Sequence, residues 1–358
     1  FNLCYQPKSF NFSTEMFHNN EETLLRNKGE GLVIIKPTYF KQFTWRRDYG
    51  LQYDLAKSIR FQYQASANAR IDEPPGLIET PGTNDSLWLS ILNGGIMQNF
   101  QQTINASWDI PISKLPYMDW LRMPLTYRTT FNYLGTTRAL ASQGSTINNT
   151  ANLTFGAQGN LSSLYNKVPL LKKANAKRPP KRPDPNKGSK DKDEDKNKVS
   201  EKRGLADKGL SEADKALADS LRKAELMETL RQLGYFGLRI VTGVKNVNLQ
   251  ANRTSGARVA GFMGESSIVG LDPSCAWMPG LGFILGSSNS IVDDLLRHDL
   301  LSHDTLMNMP HINNVNRIVN LQANLEPIRD LKIALTRSLS YSSNEQYYYK
   351  YSSAYDMV

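Results

Sequence analysis

The sequence predicts an all-β protein: a segment of a very large antiparallel transmembrane β-barrel. The segment is a curved meander sheet of about nine or ten long strands, with one mostly disordered, part-helical insertion. Three observations carry this. From Ile59 to Ile71 every odd position is apolar (Ile59, Phe61, Tyr63, Ala65, Ala67, Ala69, Ile71) and every even one is polar. A period of two sends the two sets to opposite faces of an extended strand, and the run is far longer than the ~5–6 residues usual in soluble sheets. The pattern recurs at least five more times. The segments joining the repeats alternate between short and long, as in outer-membrane barrels.

Taken in order, Phe10, Phe12 and Met16 mark a first strand. Phe43 to Leu55 aligns Phe43, Trp45, Tyr49, Leu51, Tyr53 and Leu55, interrupted by Arg47. Phe100 to Ile112 aligns Phe100, Ile104, Ala106, Trp108, Ile110 and Ile112, with Gln102 as the exception. Leu121 to Tyr133 sets Leu121, Met123, Leu125, Tyr127, Phe131 and Tyr133 against Arg122, Thr126, Arg128, Thr130 and Asn132. Ile147 to Leu161 sets Ala151, Leu153, Phe155, Ala157 and Leu161 against Asn and Thr. Leu238 to Ala251 is a strand whose phase flips between Val244 and Val247, which a bulge explains. Val319, Leu321, Ala323 and Leu325 are answered by Leu331, Ile333, Leu335, Leu339 and Tyr341. The polar faces are dominated by Gln, Asn, Ser and Thr, whereas a soluble sandwich, which also alternates, has shorter strands and more Lys and Glu.

A meander turns on alternate sides. One side holds Ala56–Ser58, Ser113–Trp120, the long 166–237 segment and Glu326–Asp330; the other holds His18–Gln42, Asp72–Asn99, Leu134–Thr146 and roughly Asn252–Asn314. Three of the first group are tight, so that side is expected to be periplasmic and the second to lie at the cell surface. The expected organisation is residues 1–165 as barrel-wall strands with outer loops, 166–237 as a charged periplasmic insertion with a helix over about 212–233, and 238–358 as further wall with a long outer loop over about 252–314. The first half of the insertion is Pro, Lys and Asp and cannot bury enough apolar surface to fold. In its second half Ser211 is a good N-cap, Glu212 and Asp214 lie in the first turn, and Gly234 is placed to end the helix. The insertion reads either as a tolerated extension of a turn or as a docking arm.

Of the net charge of +9, the segment Lys172–Arg203 contributes +7 through thirteen Lys/Arg and six Asp/Glu. The rest of the protein is near balance at +2, which argues against a nucleic-acid-binding face. No apolar run approaches the ~18 residues of a membrane helix. Cys4 and Cys275 read as a disulfide or as two unrelated thiols. Trp45, Tyr49, Tyr117, Trp120 and the group Tyr347, Tyr348, Tyr349 and Tyr351 lie near strand ends, where an interfacial belt or a carbohydrate platform would use them. Arg47 and Arg337 fall on the apolar parity. His18, His298, His303 and His311 show no metal-ligand spacing, and Asp293, Asp294, His298 and Asp299 lack a paired nucleophile. No catalytic, cofactor or metal residues are assigned, and no enzyme is expected.

Three stretches carry a family resemblance: FTWRRDYGLQYDLAKSIRFQYQASANARIDEP from Phe43 to Pro74, SLYNKVPLLKK from Ser163 to Lys173, and NLQANLEPIRDLKIALTRSLS from Asn320 to Ser340. Together they resemble the SprA/Sov family, the outer-membrane translocon of the type nine secretion system, which is also required for gliding motility. The resemblance implies an internal or C-terminal-half fragment of a barrel of the largest single-chain class, with about 36 strands. It implies passage of folded cargo bearing C-terminal sorting domains. It also implies partnership with a PorV-type lateral barrel, a plug protein, periplasmic motor components and outer-membrane lipid. The charged linker departs from the family pattern. A TonB-dependent transporter barrel, a barrel-borne hydrolase and a soluble surface β-protein are the competing classes.

Overall fold

A computed structural model describes residues 5–25, 36–74, 81–169, 171–172, 242–267, 269–287, 291–328 and 331–349, together with Lys223, Leu226, Met227, Leu230, Gly234 and Gly237. One antiparallel sheet of nine strands dominates it, and the spatial order is the sequence order throughout. The strands are β1 (Ser9–Thr23), β2 (Thr38–Ala56), β3 (Ile59–Arg70), β4 (Ile96–Ile110), β5 (Leu121–Leu134), β6 (Ser145–Asn160), β7 (Val244–Phe262), β8 (His311–Ile328) and β9 (Leu331–Tyr347). The sheet is not closed: among the described residues β1 pairs only with β2, and β9 only with β8.

The short-loop end is made by Lys57–Ser58 between β2 and β3, by residues 111–120 between β4 and β5, and by residues 329–330 between β8 and β9. At the long-loop end, residues 71–95 include helix α1 (Pro81–Leu92), and residues 263–310 join β7 to β8. Helix α2 (Leu161–Lys167) follows β6 directly at the short-loop end. The expected helix at about 212–233 falls mostly outside the described residues. Lys223, Leu226, Met227 and Leu230 are helical, and so are Gly237 and Gly234, the residue expected to end the helix.

Register puts each alternating set on one face. Across the sheet, Tyr49, Ala65, Gln102, Phe131, Asn149 and Ala257 form one ladder row, and Gly50, Gln64, Thr103, Thr130, Thr150 and Gly256 form its polar neighbour. The bulge expected near Val244 is present: register shifts between Val244 and Asn246 against β8. Pro124 interrupts the β5–β6 ladder between Arg122 and Leu125, because proline has no N–H to give. Gly156 faces it, where a Cβ would stand 3.1 Å from the proline ring.

The long connections are shorter than the sequence indicates. β1 continues to Thr23 and β2 begins at Thr38, so His18 pairs with Phe43 inside the sheet. β7 does not end near Asn252 but runs to Phe262, and β8 begins at His311. The stretch Asn252-Arg253-Thr254-Ser255-Gly256 looks loop-like because it lacks apolar alternation. It is held as strand by ladders on both sides, to β6 and to β8.

Candidate functional site: the capped end of the wall

The apolar face is not uniform. At the long-loop half of β3 to β7 it is covered by described residues of the β7–β8 connection, among them Val269, Leu271, Phe283, Ile284, Leu295 and Leu301, and toward the short-loop end it is open. Protein therefore covers the apolar face at this end, where alternation alone gives no sign of a cover. The cap contains the short helices α3 (Leu281–Ile284) and α4 (Val292–Arg297). Phe283, Ile284, Val292, Leu295, Leu300 and Leu301 from the cap pack on Phe100, Phe131, Tyr133, Ile147, Val259 and Phe262 from the wall. Phe283 meets Phe131 edge-on with centroids 6.1 Å apart, and Phe262 meets Tyr133 in the same manner at 6.5 Å.

Polar side chains that break the apolar parity fasten this cap. Asn149, 2% exposed, donates to the carbonyls of Phe283 (2.7 Å) and Ser287 (2.8 Å), and its Oδ1 accepts from the N–H of Ala257 (2.7 Å). Thr129 Oγ1 donates to the Ile284 carbonyl at 3.1 Å, and the Tyr127 hydroxyl donates to the Leu285 carbonyl. Gln102, the exception on β4, donates to the Val269 carbonyl at 3.1 Å and accepts from the Tyr63 hydroxyl at 3.1 Å. A polar group on an apolar face costs free energy unless it finds a partner, and here every side-chain donor to the cap ends on a cap carbonyl, while Asn149 and Gln102 also accept from the wall, from the Ala257 N–H and the Tyr63 hydroxyl. Sequence reasoning noted Gln102 but missed Thr129, Asn149 and Ser255. Their signal was available: parity breaks fall in adjacent ladder rows of neighbouring strands.

The cap has its own scaffold. Asp272 accepts from the N–H of Glu265 (2.8 Å), the N–H of Ser274 (2.9 Å) and the Ser274 hydroxyl. Burial alone would raise this carboxyl, but those donors outweigh it and hold it below the ordinary carboxylate range. Burial pushes the neighbouring Cys275 thiol up; Cys4 lies outside the described residues. Gly286 has φ +90°, and a Cβ there would overlap that of Ala151, so only glycine brings the cap this close to β6.

Beside the cap, toward β1, lies a cavity of about 510 Å³ bordered by Arg47, Tyr49, Tyr63, Phe100, Ser266 and Val269. Ser266 is 1% exposed, and its Oγ has no hydrogen-bond partner among the described residues. Arg47, which interrupts the apolar face of β2, lies 4.4 Å from the centre of the Trp45 ring and donates to the Gly94 carbonyl at 3.1 Å. Its position is thus met by a π face and a loop carbonyl.

At the rim Asp72 pairs with Arg70 (2.7 Å) and Arg138 (2.6 Å). Partial burial would raise this carboxyl, but the two guanidiniums hold it below its ordinary value. His298 and His303 sit in the cap, and His303 contacts Asp299 at 2.8 Å on the surface. His311 is buried at the start of β8, stacked on Tyr347 with centroids 5.4 Å apart and edge-on to Tyr349. Part of the C-terminal tyrosine group therefore packs around a histidine.

No family model matches the chain, and no curated protein matches it in sequence.

Proposed function

We propose that this chain is a section of the wall of an outer-membrane protein-conducting barrel, with its long-loop end at the cell surface and its short-loop end in the periplasm. The observation that carries this is the nine-stranded meander of 12- to 19-residue strands, one face of which is rich in Gln, Asn, Ser and Thr, with interspersed charges such as Arg46, Asp48, Arg122 and Arg128. The face opposite is apolar and, below the cap, open. On β8, the run from Val319 to Pro327 presents Val319, Leu321, Ala323 and Leu325 on that face. At ~3.3 Å per residue and a tilt of ~45° such a run rises ~20 Å, close to the ~25 Å apolar band of an outer-membrane barrel. No helix among the described residues is long and apolar enough to cross a membrane, which says nothing of strands.

A lumen lined mainly by amides and hydroxyls, with scattered charges of both signs, is wet yet holds a passing protein weakly. That chemistry suits cargo of varied surface charge better than a charged lining would. The resemblance to the SprA/Sov translocons adds the expected cargo, folded proteins with C-terminal sorting domains. It also adds the expected partners: a PorV-type lateral barrel, a plug and periplasmic motor components, in type nine secretion and gliding.

The test uses the full-length protein in its membrane. Single cysteines at Gln64 and Asn152 should react with a membrane-impermeant maleimide, and a nitroxide at Leu321 should report lipid. Deleting β3–β4 should abolish export of a reporter bearing a sorting domain. A nitroxide at Leu321 reporting water would refute the wall. Normal export alongside loss of energy-coupled uptake of a small ligand would replace the translocon with a transporter.

A further inference from the structure

Extending β7 to Phe262 brings two arginines together that look unrelated in sequence. Leu153, Arg253, Arg317 and Tyr341 form one ladder row across β6, β7, β8 and β9, on the apolar face. Arg253 and Arg317 are directly paired and both exposed. Directly opposed residues stand ~4.5–5.5 Å apart at Cα, where like charges repel. Neither arginine forms an ion pair among the described residues. On that face of β7 to β9 the nearest acidic side chain is Glu345, four residues along β9 from Tyr341 and so ~13 Å away.

The height of the row matters as much as its charge. One row toward the long-loop end lie Ala151 and Ser255, against which Gly286 of the cap is seated. One row the other way lie Phe155, Ala251, Val319 and Leu339, the start of the open apolar band. The arginines thus occupy the boundary between protein cover and apolar surface. Tyr341, with the Arg317 guanidinium 5.9 Å from its ring centre, shares that level, as an amphipathic ring at an interface does.

We propose that Arg253 and Arg317 form a clamp for the phosphate of an anionic lipid headgroup held against the wall just below the cap. Two guanidiniums present planar donor forks that match phosphate oxygens, and an anion between them removes the repulsion of the pair. The open band below, with Val319 and Leu339, takes the acyl chains. This inference rests on the reading that the apolar face meets lipid.

The experiment compares the full-length protein with its R253A/R317A variant in nanodiscs of zwitterionic lipid doped with bisphosphorylated or dephosphorylated lipid A, and counts retained lipid by native mass spectrometry. The unaltered protein should retain the phosphorylated form preferentially. The double variant should lose that preference by at least about tenfold, the scale of a lost charge-assisted hydrogen bond. R122A/R128A on the polar face should keep it. Competition by millimolar inorganic phosphate alone would reassign the site to free phosphate and overturn the lipid clamp. Nitroxides at Leu321 and Leu335 separate the two ways of failing. If they report lipid and R253A/R317A retains its preference, the clamp is wrong and the wall stands; if they report water, the wall reading fails first. Heat-modified migration of the double variant checks that it has folded.

Discussion

Asn149 is the side chain on which the cap most depends, and replacing it by alanine gives a measurable consequence. The substitution removes two donors from the carbonyls of Phe283 and Ser287 and one acceptor from the N–H of Ala257. A buried polar group stripped of its partner costs about 1–3 kcal/mol. Water entering beneath a loosened cap recovers part of this, so the net loss is about 3 kcal/mol rather than the sum over three groups. Most of the loss falls on cap docking, because two of the three bonds go to cap carbonyls and the β6 ladders are otherwise made by backbone. At ~1.4 kcal/mol per decade, the population with the cap lifted rises about a hundredfold. Hydrogen exchange by mass spectrometry on the full-length protein reads this directly. Amides over 281–300 should lose about two decades of protection, while those over 246–253 on β7 keep theirs. Unchanged protection over 281–300 would refute the anchoring role. Equal loss in both regions would mean that Asn149 supports the sheet and not the cap.

Gly286→Ala should lift the same segment, because its φ of +90° and the overlap with Ala151 both penalise a Cβ; protease nicking within 281–300 of the intact protein is the readout. The carboxyl of Asp272 is held below its ordinary value, so its stabilising effect is complete above the unfolded value of ~3.9 and is lost as pH falls through the lower folded value. Cap protection should decline in acid below about pH 4, and Asp272→Asn should remove that acid step while weakening the cap at neutral pH. Arg138→Ala should change thermal unfolding by no more than about 1 kcal/mol, since the Arg138 side chain is exposed and Asp72 keeps Arg70. Deleting Lys172–Arg203 should leave assembly and heat-modified migration intact, because β6 and β7 pair through sixteen residue positions from Ser145–Phe262 to Asn160–Asn246 and loop length enters closure entropy only logarithmically.

The alternation from Ile59 to Ile71 determined the face of every residue in β3, because a pleated strand has a side-chain period of two whatever surrounds it. The alternating short and long connections likewise determined the meander order that the nine strands adopt. The phase flip near Val244 announced its bulge. What alternation could not convey is which part of a face is covered, since lipid and a protein cap both accept the same apolar side chains. Gln102, Thr129 and Asn149 look like defects in a membrane strand until cap backbone is seen to satisfy them. Asn252 to Gly256 carry no apolar rhythm, so only pairing on both sides could make them strand, and only that pairing sets Arg253 beside Arg317. Local periodicity is written residue by residue along the chain. Partners 64 or 134 positions apart, as these arginines and as Asn149 with Phe283 are, meet through register and loop packing, which are properties of the folded whole.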